Sequence, residues 1–403
     1  MLLGVSASGP GKRSSSEGES GRGLESVGFG HRLDWLLAGA GVAGLVAAAT
    51  LRPSEAGAAA SQDWPPFVLV SGLLLIGLVA NDDGLFAAAG HRLARAASSG
   101  AVLFLGSTLL VGVVTAVLNL DTSVAFLTPV LVYTARSRGG GEAPLLYGCL
   151  LLSNAGSLFL PGSNLTNLIV LGHLHLSGAE FLARMWAPAL VAVVVTAVVV
   201  AGFEHRALQV SASELTRPQR PVLGLGLVAV GVSTVLVVIV PSPALPVAIV
   251  GVIAAGIRVA TRRSPIRQVA ETLGPPVLIG LFGLAVALGT LGRAWSGPAT
   301  LLSHLDLWET AAVAAASTVL VNNLPAASLL AARIPNHPFA LLIGLNLGPN
   351  LFVTGSLAWL LWLRAARSAG ARPSIAKASR IGATAALFSL AAALGMLALT
   401  GSR

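Results

Sequence analysis

This chain predicts an all-α integral membrane protein built as inverted repeats, each half holding a re-entrant hairpin and a discontinuous helix. Three observations predict it. Of its 403 residues, 55% are hydrophobic and only 10% charged, with a mean hydropathy of +0.82, whereas a soluble domain carries about 25% charged residues. Apolar stretches approaching the ~20 residues a membrane-crossing helix needs recur along the chain. Polar clusters interrupt those stretches at corresponding places in the two halves, where a bilayer tolerates them only against a cavity or protein.

Taken in order, residues 1–34 are rich in Ser, Gly and charge and contain no apolar stretch. They read as a disordered cytosolic tail rather than a signal peptide. The first half, residues 35–203, begins with spans at 36–51 and 66–80. Residues 83–97 are amphipathic and suit the inner interface. Residues 100–135 exceed one span and break at Asn119-Leu120-Asp121-Thr122, which predicts a hairpin with a polar tip. Residues 145–171 contain Gly156, Pro161 and Gly162 and predict a broken helix. A span at 185–203 and a charged cytosolic linker at 204–220 follow.

The second half, residues 221–403, has spans at 222–240, 245–260 and 276–291. A second hairpin at 297–332 breaks at Asn322-Asn323-Leu324-Pro325, and a second broken helix at 339–363 carries Gly348, Pro349 and Gly355. A span at 381–400 ends the series, giving about nine spans plus two hairpins.

With the N-terminus inside, 20 of the 25 Lys and Arg fall on the cytosolic side, as the positive-inside rule requires. Treating the first hairpin as a full crossing reverses that bias, so the charges favour a hairpin that enters and leaves on one side. The same rule accounts for the net charge of +9 without nucleic acid. The expected location is the inner (plasma) membrane.

Hairpin tips and helix breaks free backbone groups that intact helices hide. Helix N-termini suit anions and polar oxygens, and unwound carbonyls with Asn, Ser and Thr oxygens suit Na⁺ or a hydroxylated solute. The candidate substrate and ion ligands are Asp121, Thr122, Ser163, Asn164, Asn167, Asn322, Asn323, Thr354, Gly355 and Ser356. Gly156, Pro161, Gly162, Gly348 and Pro349 are the helix-breaking residues. Asp121 is the single carboxylate within the expected deep segments, and no Lys or Arg is expected to pair with it there. It fits either a proton- or Na⁺-coupling group or an N-cap of the hairpin's second helix. Asn322 and Asn323 likewise fit substrate contacts or caps.

Other chemistry is thin. The lone cysteine, Cys149, sits in an apolar run and reads as a packed thiol. His173 and His175 read as a solvated loop, so no metal site is expected. Walker A, Gly-x-Ser-x-Gly and His-Glu-x-x-His motifs do not occur, which removes the motif-based case for ATP hydrolysis or a membrane hydrolase. No enzyme activity and no cofactor beyond a coupling ion are expected.

At these motifs the chain resembles the ion transporter superfamily, most closely the ArsB-type arsenite permeases. The resemblance rests on Leu120-Asp121-Thr122 with Leu127-Thr128-Pro129, and on Pro161-Gly162-Ser163-Asn164-Leu165-Thr166-Asn167. It extends to Asn322-Asn323-Leu324-Pro325, and to Leu347-Gly348-Pro349-Asn350 followed by Gly355-Ser356-Leu357-Ala358-Trp359. It implies a homodimer and export of As(III) or Sb(III) hydroxides in exchange for protons, in some members with a soluble ATPase partner. Other branches imply dicarboxylate, citrate or sulfate transport, or Na⁺/H⁺ exchange. The ArsB pattern has acids where this chain has Asn154 and Asn346, and a lysine where it has Asn350.

Overall fold

The computed structural model describes residues 17–172, 174, 176–209, 224–240 and 242–401. Its elements are helices joined by short turns. α1 (Glu17–Leu51) and α2 (Pro53–Asp82) are long and nearly continuous, parted at Arg52. Residues 17–34, expected as part of a disordered tail, are helical in backbone, because extending a helix already nucleated by an apolar span costs far less than starting one. Residues 1–16 lie outside the described residues, as does most of the expected linker.

α2 differs from its expected span. The span was read as starting at Pro66, yet Pro65 and Pro66 both lie inside a 30-residue helix. The helix therefore carries Gln62 and Asp63 past the prolines and into packed protein, where Asp63 is 1% exposed. The amphipathic α3 (Leu85–Ala96) buries Phe86, Ala88, Gly90 and Ala94.

The first hairpin is α4 (Gly100–Val117) and α5 (Leu120–Ser137), each of 18 residues, or ~27 Å. The first broken helix is α6 (Ala143–Gly156), a 3₁₀ turn at Pro161–Ser163, and α7 (Leu165–Leu171). α8 (Gly178–Phe203) starts in a capping box made by Ser177 and Glu180, and α9 (His205–Leu208) closes this half. Then come α10 (Leu225–Ile239), α11 (Ala244–Ala260), the short α12 (Ile266–Leu273) and α13 (Pro275–Ala294).

α14 (Gly297–His304) precedes the second hairpin, whose legs α15 (Leu307–Val321) and α16 (Asn323–Leu330) are unequal. α17 (Pro338–Leu347), a 3₁₀ turn at Gly348–Leu351 and α18 (Leu357–Ser368) make the second broken helix, and α19 (Ile375–Leu399) ends the fold. Among the described residues, six helical stretches are long and apolar enough to cross a membrane, while α10 and α11 have 15 and 17 residues.

Lipid tails are as apolar as leucine, so membrane helices associate through close packing and polar ties. α2 packs on α11 where Gly72 meets the Ala248 backbone: a Cβ on Gly72 would lie 2.6 Å from the Ala248 Cα. At the C-terminal end of α2, Asp83 makes a buried ion pair with Arg258 of α11 at 2.6 Å and accepts a hydrogen bond from the Gly226 amide at the start of α10 at 2.6 Å. α1 meets α13 through Gly41, Gly280 and Gly283 in the same small-residue manner. Trp362 of α18 donates from its indole to the Leu146 carbonyl of α6 at 2.8 Å, tying the two broken helices together.

A Cβ at Gly280 would fall 2.6 Å from the Leu37 carbonyl oxygen, so Gly280→Ala should force α1 from α13 and cost about 1–3 kcal/mol. Gly57→Ala is the control: nothing lies within 4 Å of its added methyl, and better helix propensity should leave stability unchanged or raised. Thermal unfolding of both variants in detergent checks the difference.

Candidate transport site

The turn into α5 is capped by Asn119, whose side-chain oxygen accepts from the Thr122 amide at 2.6 Å. Asn119 therefore takes the cap role open to Asp121. Asp121 sits in the first helical turn, partly exposed, and makes no hydrogen bond or ion pair among the described residues. Thr122 is fully buried, with its hydroxyl unpartnered, as are the Asn119 Nδ2 and the Thr115 hydroxyl. Two contacts join this tip to the first helix break. Ser163 donates to the Ala116 carbonyl at 3.1 Å, and Ser153 lies 3.2 Å from Ser123, hydroxyl to hydroxyl.

The second tip is built differently. Asn322 has φ +74° with ψ 152°, outside the left-handed helical region and in a conformation that residues other than glycine rarely adopt. Its Nδ2 donates to the Thr354 carbonyl at 3.3 Å, while the Asn323 amide donates to the Gly355 carbonyl at 2.9 Å. Thr354 returns a hydrogen bond from its hydroxyl to Val319 of α15 at 2.7 Å. Hairpin tip and second helix break are thus one unit. Gly355 is required there, since a Cβ would sit 2.5 Å from the Pro349 Cα. Ser356 is buried with an unpartnered hydroxyl.

Between the tips, the two broken helices meet through side-chain amides. Asn346 Oδ1 accepts from Ser157 at 2.5 Å and from Asn164 at 2.8 Å, and its Nδ2 donates to Asn167 Oδ1 at 2.7 Å. Asn154 donates to Asn350 Oδ1 at 2.8 Å, and Asn350 donates to the Leu151 carbonyl at 3.2 Å. Asn167 also donates to the carbonyls of Ser157 and Leu160, which the break between α6 and α7 sets free.

The ten candidate ligands therefore fall into three places. Asp121, Thr122 and Ser163 lie at the first tip, and Asn164 and Asn167 belong to the amide network. Asn322, Asn323, Thr354, Gly355 and Ser356 form the second tip. Among the described residues no hydrogen bond joins the first tip to the second. Gly156, Pro161, Gly162, Gly348 and Pro349 all lie at or beside the two breaks.

Asn154, Ser157, Asn346 and Asn350 were absent from the candidate ligands, although each pair is spaced to share one helix face, the available signal. Asp63 was also missed, so Asp121 is not the single deep carboxylate. Beside Asp63, Arg293 of α13 donates to Gln62, and Gln62 with Arg293 lines a cavity of about 530 Å³ that reaches Pro161. His173 and His175 lie outside the described residues. No cluster of three or more His, Cys, Asp or Glu able to hold a metal occurs among the described residues.

The model of the CitMHS family, described as citrate transporters, matches residues 32–366. The chain belongs to this family. Two curated relatives, both arsenical pump membrane proteins of Escherichia coli, are 24% identical over 334 and 335 residues, covering 74% of this chain and 78% of each relative. The crystal structure of the Alcanivorax borkumensis YdaH transporter, reported to have an unusual topology, shares the fold at a TM-score of 0.51. That likeness covers 86% of this chain and 87% of the neighbour at 15% identity. The chain is a multi-pass membrane transporter of the ion transporter superfamily, and such carriers are not enzymes.

Asn346→Ala should leave Ser157, Asn164 and Asn167 short of buried partners, at a cost of about 1–3 kcal/mol for each group left unsatisfied. Thermal unfolding in detergent checks this, and a variant as stable as the wild type would show that the network does not hold the broken helices together.

Proposed function

We propose that this chain is a secondary active transporter that exports As(III) or Sb(III) hydroxides in exchange for protons by alternating access. The observation that carries the reading is the chemistry of the two tips: buried amides and hydroxyls without a fixed counter-charge, beside a carboxylate, Asp121, free of any ion pair among the described residues. A neutral trihydroxide needs hydrogen-bond partners but no opposite charge. The unpartnered Asn119, Thr122, Asn154, Thr166 and Ser356 atoms are of that kind. Asp121 is the coupling group in this reading, with the proton as its ion and Na⁺ as the alternative.

The repeated order of hairpin then broken helix supports two inverted halves that expose one site to each side in turn. A homodimer in the plasma membrane, with a cytosolic N-terminus, is the assembly that goes with this reading. A second reading, an organic or inorganic anion permease, is favoured by Arg293 in the wall of the large cavity and by the family's description.

Everted membrane vesicles test the first reading through arsenite accumulation with and without an imposed pH gradient. Gradient-dependent accumulation is expected, and Asp121→Asn should abolish the gradient dependence while folded protein remains in the membrane. Unaltered proton-driven transport by that variant would remove Asp121 from coupling. No arsenite accumulation, with labelled citrate or sulfate taken up instead, would establish the anion permease.

A further inference from the structure

Away from the tips, one polar group is buried at a cost the mechanism above does not use. Asp63 of α2 is 1% exposed, and its Oδ2 has no hydrogen-bond partner. It faces Arg293 of α13 and Ser328 of α16, whose hydroxyl is also buried and unpartnered. Arg293 makes no ion pair with Asp63; its Nη2 donates to Gln62 Oε1 and its Nη1 to the Gly289 carbonyl at 3.0 Å. Gln62 in turn donates to the Ile169 carbonyl at 2.8 Å and the Ala331 carbonyl at 3.3 Å. Those carbonyls lie at the C-terminal ends of α7 and α16, the two half-helices whose other ends form the first break and the second tip. One glutamine thus ties a half-helix end of each half to the long helix α2, and one arginine holds that glutamine.

We propose that Asp63 is a proton-binding site that sets this clamp. An ionised carboxylate left unpaired in packed protein is strongly disfavoured. In the closed state of this proposal the carboxyl carries the proton and donates it to the Ser328 oxygen, which gives each of the two orphaned groups a partner. Loss of that proton leaves a buried anion beside a guanidinium. Arg293 then turns from Gln62 to Asp63, and Gln62 loses its anchor.

The turn is short. A methyl placed on Gly289 would lie 3.2 Å from Arg293 Nη1 and 3.7 Å from Asp63 Oδ2, so both groups border the same point. Arg293 is the charged group that faces Asp63 among the described residues; Arg333, just beyond α16, holds the Arg293 carbonyl at 2.9 Å. α7 contributes no titratable side chain, and the one charge on α11, Arg258, is committed to Asp83 at its far end. The signs follow: the clamp is closed at acidic pH and released at alkaline pH.

The inference rests on the transporter reading only for its purpose, so its test needs no substrate. Hydrogen–deuterium exchange of the full chain in lipid nanodiscs, corrected for intrinsic rates, reads the ends of α7 and α16 at acidic and alkaline pH. In the wild type these ends should exchange roughly tenfold faster at alkaline pH, the worth of about one hydrogen bond. Asp63→Asn, a permanently neutral side chain, should stay protected at both. Gly289→Ala, which leaves every titratable group in place, should block the turn of Arg293 and also flatten the pH profile. A wild type without pH dependence, or an Asp63→Asn variant that keeps it, would overturn the proposal. Arsenite transport with a flat exchange profile would sink the clamp alone, and a pH-dependent clamp without arsenite transport would sink only the substrate.

Discussion

A bilayer core supplies no water to a carbonyl or amide released by a broken helix, and every such group must find a partner inside the protein. The breaks in α6–α7 and α17–α18 release several at once. Asn167 answers two of them, at Ser157 and Leu160, and Trp359 answers a third by donating to the Pro349 carbonyl at 2.8 Å. Asn346 and Asn350 then join the first break to the second. The irregular backbone can exist in this membrane protein because each half answers its own freed carbonyls and the amides of the two halves answer one another.

That requirement shapes what surrounds the site. α19 passes so close to the second 3₁₀ turn that Gly382 abuts the Asn350 backbone, and Gly348 lies against the Ala315 Cα of α15. Bulk is excluded there for the same reason that it is excluded between α1 and α13: in lipid, contact distance substitutes for hydrophobic drive. Charge is kept at the margins. The buried pair Asp83–Arg258 fixes one end of α2, and Glu204 with Lys377 fixes α8 to the start of α19 at 2.6 Å.

The core between the broken helices is therefore neutral, where the ArsB pattern has two acids and a lysine. The contact of Asn154 with Asn350 at 2.8 Å joins a position where the resemblance implies an acid to one where it implies a lysine. With neutral side chains at both positions the contact is a hydrogen-bonded amide pair, whereas a charge at one of them alone would be an unpaired buried ion. The ionisable groups that remain near the moving elements are Asp121 at the first tip and Asp63 with Arg293 beneath the half-helices. The exchange proposed above would hold its proton at one of those places.

Local pattern was enough to locate the parts. Apolar run lengths gave the spans, and Asn119 to Thr122 and Asn322 to Pro325 marked the hairpin tips, because Asn, Gly and Pro at membrane depth have few other uses. Gly156, Pro161, Gly348 and Pro349 marked the breaks for the same reason. Local pattern could not say which break faces which. Asn154, Ser157 and Asn164 meet partners 182 to 196 positions away, a pairing set by how the halves pack and not by any neighbour in the chain. Nor could it bury Asp63, since two adjacent prolines ordinarily mark a helix start, and only packing against α13 and α16 carries the helix past them and closes protein around the carboxylate.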